Sequence, residues 1–182
     1  DPETGVLRGE AGLSLGQIMR SFLREGWFSP VSTGTQYVTL GGMVASDVHG
    51  KNHHVHGTIS NFVRSLTMAV PDGDGLKVVR CTPDEHADLF WATCGGMGLT
   101  GHILEVDLQL ERLPSPWIDE ETDRYGSLAE VFTHLREASD VWPMTVAWID
   151  TSVRGAAAGR GVLMKGRWAS KEQAPPEPPP WR

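Results

Sequence analysis

The sequence predicts an α+β fold, and three stretches carry that prediction. Thr82-Pro83-Asp84-Glu85 sets a capping threonine before a proline at the first helical position, with a glutamate three residues after the cap, so a helix is expected over residues 84–93. Residues 62–70 form a mostly apolar run of strand length, and the turn Pro71-Asp72-Gly73-Asp74-Gly75 sends the chain back through residues 76–80 as a hairpin. Residues 103–113 alternate apolar with charged or amide side chains for much of their length, as a half-buried strand does.

The other elements follow in chain order. Residues 6–11 read as a short strand, and residues 13–24 as an amphipathic helix with Leu15, Ile18, Met19, Phe22 and Leu23 on its apolar face. Gly26 supplies a stop, and Trp27, Phe28 and Pro30 lead into a glycine-rich segment. Gly95, Gly96, Gly98 and Gly101 end the helix of residues 84–93. After Pro114-Ser115-Pro116 the composition turns Trp-rich and mixed, which sets a domain boundary there, with domains over 1–113 and 114–182. In the second domain a helix is expected near 128–138, and strands near 145–149 and 161–168. The chain starts at Asp1 almost directly in a strand and finishes in a proline-rich tail, residues 173–182, that cannot close a core, so it reads as a fragment.

Composition excludes several classes. With 182 residues, 40% hydrophobic and 21% charged, the chain has the make-up of a globular protein. The formal net charge of −7 and the lack of clustered Lys and Arg argue against a nucleic-acid partner. Cys81 and Cys94 are the only cysteines and form no CxxC or finger spacing, so neither a disulfide scaffold nor a structural zinc site is expected. No run approaches the roughly 20 apolar residues of a membrane span, which leaves peripheral membrane contact as the form any such association takes.

The chemistry concentrates in GTQYVTLGGMVASDVHGKNHH, residues 34–54. Thr39 before Gly41-Gly42 and a run of small residues predicts a capped helix start, where free backbone N–H groups and the positive dipole end face an anion such as a pyrophosphate. Glycine there lets a dinucleotide approach the backbone; a turn with a tightly packed helix accounts for the same glycines. His49, His53, His54 and His56 invite a metal, but no carboxylate or thiolate accompanies them at helical spacing, so a polar loop lining a pocket explains them and no metal is expected. Lys51 is the lone cation of the segment: a contact for a substrate phosphate or developing oxyanion, or a solvated loop lysine. Cys94 has no base placed beside it by the sequence and reads as a small buried residue at a helix end.

Taken together, residues 34–54 and the later LFWATCGGMGLTG, two separated motifs in the right order, resemble the flavin-binding domain of the vanillyl-alcohol-oxidase superfamily, with its PCMH-type FAD-binding domain. The resemblance runs from about Gly34 to Leu113 and continues faintly to about Gln173. It implies the second subdomain of that FAD-binding domain, followed by the start of an α+β substrate or cap domain, with a first flavin subdomain before Asp1 and further chain after the tail. By the same resemblance Gly34, Thr39, Leu40, Gly41, Gly42, Ser46, Asp47, Val48, His49 and Ile103 contact FAD, largely through backbone atoms. His49 and Lys51 are placed at the isoalloxazine face as the catalytic pair.

The implied activity is FAD-dependent oxidation of a sugar hydroxyl, most specifically the 2'-hydroxyl of a polyprenyl-phosphate ribose to the 2'-keto form in arabinan precursor synthesis for cell walls. The implied partners are that polyprenyl-phosphate sugar and an NAD(P)-dependent reductase, in a cytoplasmic or cell-envelope-associated setting. A related FAD-linked oxidase of alditols or aldonolactones, and a truncated non-catalytic fragment, are the alternatives.

Overall fold

The computed structural model describes residues 1–31 and 33–176, so most of the proline-rich stretch 173–182 lies outside the described residues. The fold is α+β, and the chain divides into two compact units, one of residues 1–50 and 56–113, the other of residues 51–55 and 114–176.

The first unit is built on an antiparallel sheet in the order β1-β5-β3-β4, where β1 is Val6–Glu10, β3 Val63–Asp72, β4 Gly75–Cys81 and β5 His102–Gln109. Alternation along β3 and β5 gives the sheet two unlike faces. Leu66 pairs with Val106, and Leu66, Met68, Val106 and Leu108 are fully buried. Ser65 pairs with Asp107 and Asp107 with Arg8, which puts a polar row across three strands on the other face. The core is completed by α1 (Leu15–Phe22), α2 (Leu40–Ala45) and α4 (Ala87–Thr93), which contribute the buried Leu15, Ile18, Leu40, Met43 and Phe90, whereas α3 is a single turn, His53–His56, with no buried residue.

Three expected elements are placed differently, each for a local reason. The first helix begins at Leu15, not 13, because Ser14 caps it: the Ser14 hydroxyl accepts from Gln17 N and the Gln17 side chain accepts from Ser14 N, a complete capping box. Thr82 does accept from Asp84 N and Glu85 N, but Thr82 N donates back to Glu85 O and closes a turn, and His86 then adopts a left-handed conformation (φ 52°), so α4 starts at Ala87. Thr82 therefore caps a turn ahead of the helix, and the N-cap of α4 itself is His86, not Thr82. The strand of residues 103–113 is two strands: Leu110 N donates to Gly5 O where β1 runs out, and β6 (Glu111–Arg112) goes on to pair with β2 (Trp27–Phe28).

The second unit is a three-stranded antiparallel sheet, β7 (Ile118–Tyr125), β9 (Gly161–Trp168) and β8 (Met144–Ile149) in that order, with α5 (Leu128–Ser139) packed on it. Ser127 caps α5 by accepting from Glu130 N. Its small core joins Ala138, Trp142 and Leu163, with Tyr125, Leu135 and Ala147 against them. Arg167 lies 3.9 Å and Lys165 5.5 Å from the Trp142 ring.

Candidate functional site

The Thr39 side chain caps α2 by accepting from Gly42 N, which is the cap that the sequence calls for. The amides behind it are all used. Leu40 N donates to Leu13 O, Gly41 N to Ala11 O and Met43 N to Thr39 O. The helix start therefore offers no free N–H to an anion, contrary to the expectation drawn from its sequence.

Gly41 has the packing reason that the sequence offered as the alternative. A Cβ there would lie 2.8 Å from the Cβ of Ala11, so glycine is required for α2 to lie against the end of β1. Leu40 is fully buried beside it. Gly34, Thr39 and Gly42 are exposed, and a Cβ on Gly34 would meet nothing within 4 Å.

The other end of α2 joins the two motifs. Gly95 N donates to Val44 O and Met97 N to Ala45 O, so the loop after α4 caps the C-terminal carbonyls of α2. Gly95 sits at φ 76°, a left-handed conformation that favours glycine, with Asp47 Cβ 3.4 Å from where its own Cβ would be. The loop then turns outward and leaves Met97 70% and Leu99 90% exposed. Sequence reading used this loop for its glycines and missed its two uncovered apolar side chains; their place between glycines in GGMGLTG was the available signal.

Past Ser46 the chain turns left-handed at Asp47 (φ 40°), whose carboxylate accepts from Ser60 N. Ile59 N donates to Val48 O, and His49 forms a β-bridge with Thr58. Ser46 and His49 are exposed, Asp47 and Val48 half-buried. Ile103, on β5 opposite Met68, is buried and lines a groove of about 470 Å³ with Ala11 and Gly12. A larger cleft, about 970 Å³ beside β1 with Arg8, Trp27 and Asp107 in its wall, contains none of the residues that the motifs single out.

Lys51 belongs to the second unit, where its carbonyl accepts from Thr145 N. The histidines go to separate partners. Within the second unit His54 Nε2 bonds the Trp142 carbonyl at 2.9 Å, and within the first His56 Nδ1 bonds the Pro30 carbonyl at 2.8 Å. Among the described residues no group of three or more His, Cys, Asp or Glu is close enough to hold a metal. Burial, with Asp47 and Cys81 nearby, pushes the Cys94 thiol up to about 12, so it stays protonated at neutral pH and is no nucleophile.

FAD brings a pyrophosphate and a flat, largely apolar ring system, and the residues present can be tested against both. The α2 amides do not supply pyrophosphate contacts. The uncovered Met97 and Leu99 are of the apolar kind that such a ring covers, and the exposed Gly34, Thr39, Gly42, Ser46 and His49 are of the small or polar kind that a dinucleotide's arms approach. In that chemistry the residues present fit the group.

The sequence comparisons identify a flavin-dinucleotide-binding domain. Residues 1–82 match the family described as an FAD binding domain. The chain is 35% identical over 176 residues to decaprenylphosphoryl-beta-D-ribose oxidase of Mycolicibacterium smegmatis, which covers 96% of this chain and 38% of that protein. It is 35% identical over 170 residues to a protein in the mprA 5'region of Streptomyces coelicolor, covering 93% of this chain and 44% of that protein. The human Delta(24)-sterol reductase is 26% identical over 110 residues, 60% of this chain and 21% of that protein. Residues 1–82 thus carry an FAD binding domain, whose cofactor is FAD, and the chain as a whole is similar to the two bacterial proteins just named. It spans 38% and 44% of the length of the two bacterial relatives.

Proposed function

We propose that the protein to which this chain belongs oxidises a sugar hydroxyl, the 2'-hydroxyl of a decaprenylphosphoryl-ribose, to the 2'-keto form. The observation that carries the reading is the reach of the match. Identity to the ribose oxidase extends over 96% of the chain and so takes in the second unit, whereas the match to the sterol reductase covers 60%. Flavin-site residues are shared across a superfamily and say little about substrate; a match that continues beyond them says more.

FAD, when bound, supplies the hydride acceptor, and the protein supplies position and electrostatics. We assign Gly34, Thr39, Gly42, Ser46, Asp47, Val48, His49 and Ile103 to its surroundings, with the buried Leu40 and Gly41 acting from behind by seating α2 on β1. Oxidation of an alcohol releases the carbon-bound hydrogen with its electron pair and the hydroxyl hydrogen as a proton. We assign that proton to the exposed His49 imidazole, and the substrate phosphate to the Lys51 ammonium. The polyprenyl-phosphate sugar, an NAD(P)-dependent reductase that takes up the keto product, and a cytoplasmic or envelope-associated setting belong to the same proposal. Among the described residues no helix is long and apolar enough to cross a membrane.

The full-length protein tests it. Its flavin absorbance bleaches on addition of a prenyl-phosphoribose and not of simple alditols; bleaching by alditols alone reassigns the substrate to the alditol and aldonolactone class. Lys51→Ala keeps the flavin spectrum and raises KM for the phosphorylated sugar by about tenfold or more. Unchanged kinetics return Lys51 to a solvated loop lysine.

A further inference from the structure

The segment of residues 51–55 folds into the second unit although the chain on both sides of it belongs to the first. Two hydrogen bonds fix it there. Thr145 N, at the start of β8, donates to Lys51 O at 3.0 Å, and His54 Nε2 meets the carbonyl of Trp142 at 2.9 Å. A carbonyl only accepts, so the Nε2 atom carries the proton in this bond. Asn52, between the two, is buried. Thr145 is itself buried and pairs with Lys165 of β9, and Trp142 is part of the unit's core. Thr145 is thus part of the sheet, and Trp142, in the short connection between α5 and β8, is held by its side chain in the unit's core.

We infer that His54 is a positioning residue: its bond to Trp142, together with the bond from Thr145 to Lys51, latches residues 51–55 onto the second unit and sets where the Lys51 ammonium stands. Lysine is a flexible point charge on a four-carbon stem, and its reach to a phosphate depends on where its backbone is held. With Lys51 O bound at the open edge of β8 and His54 tied three residues later, the backbone is held at Lys51 itself and again one turn further on. The substrate part of this inference rests on the reading of Lys51 given above; the latch itself rests only on the two bonds.

The experiment uses the full-length flavin-loaded enzyme with a prenyl-phosphoribose as substrate and follows two quantities, KM and hydrogen exchange at the Thr145 amide. His54→Ala speeds exchange at Thr145 and raises KM, each by about threefold to tenfold, while kcat stays within about twofold. His54→Gln, whose amide nitrogen reaches the place of Nε2, restores both. In the double variant Lys51→Ala/His54→Ala, KM is no higher than in Lys51→Ala alone, because the latch acts through Lys51. Unchanged Thr145 exchange in His54→Ala overturns the latch. Exchange that speeds up while the two KM effects multiply overturns the link to Lys51. A Lys51→Ala enzyme with unchanged KM removes the substrate role of Lys51, and the exchange result still decides the latch by itself.

Discussion

The two units set their polar groups against their sheets in opposite ways. In the first, one carboxylate is buried in the middle of the sheet: Asp107 on β5 takes a two-pronged contact from Arg8 at 2.7 and 2.8 Å, a bond from the Ser65 hydroxyl at 2.8 Å and a longer one from Arg80 at 3.4 Å. In the second, charges run as a ladder across β7 and β9: Lys165 bonds Glu121 at 2.9 Å and Asp123 at 2.8 Å, and Arg167 bonds Asp119 at 3.1 Å, with the acids half exposed along an edge strand. The first arrangement stakes much on one desolvated anion with its bonds satisfied. The second spreads weak, water-screened pairs along an edge and discourages further strand pairing there. The two units should therefore fail at opposite ends of the pH scale.

Asp107→Ala has the largest expected effect. It strips three partners of their acceptor and should cost the first unit about 2 to 3 kcal/mol, less than a wholly buried pair because both arginines still reach water. Arg8 and the hydroxyl of Ser65 hold the Asp107 carboxyl down at about 2, below its unfolded value near 3.9. Its contribution is thus present above about pH 4 and lost as the pH falls towards 2. Amide exchange along β5, followed from pH 5 to pH 2, should show acid sensitivity in the wild type and little in the variant; equal sensitivity assigns it to other carboxylates.

Gly41→Ala comes next, at about 1 to 2 kcal/mol, through the clash with Ala11. Adding Ala11→Gly to it should recover most of the loss. Thermal unfolding of the single and double variants decides between packing and cofactor room as the reason for this glycine, since relief that never appears would point back to the cofactor.

Lys165→Met should cost the second unit about 1 kcal/mol, because its partners Glu121 and Asp123 are screened by water. Those two carboxylates raise the Lys165 ammonium to about 12, above an unfolded value near 10.4. The stabilisation is full below about pH 10 and is lost as the pH rises through 12, so exchange along β9 should respond to base where β5 responds to acid. A second unit that melts in acid alongside the first would break the contrast.

The smallest change in stability is expected for Leu99→Ser, within about 0.5 kcal/mol, since this side chain is 90% exposed. Flavin retention in the full-length protein should nevertheless fall, as read by the absorbance of bound flavin after gel filtration.

Much of this was legible in the sequence. An apolar run and a turn marked β3 and its hairpin, alternation marked β5, and local chemistry marked the cap at Thr39, because periodicity and capping act over a few residues. The left-handed His86 that delays α4, and the change of partner that splits β5 from β6, depend on neighbours that the local pattern does not contain. The two motifs could be named from their residues, but not joined. Their union, Gly95 and Met97 on the carbonyls of Val44 and Ala45, is made across about 50 residues of chain by backbone atoms that carry no side-chain signature. The same holds for residues 51–55. The family resemblance set Lys51 among the flavin-motif residues, whereas the bonds of Lys51 to Thr145 and of His54 to Trp142 fold this segment into the other unit, because the partner of a main-chain donor or acceptor is chosen only when distant segments pack.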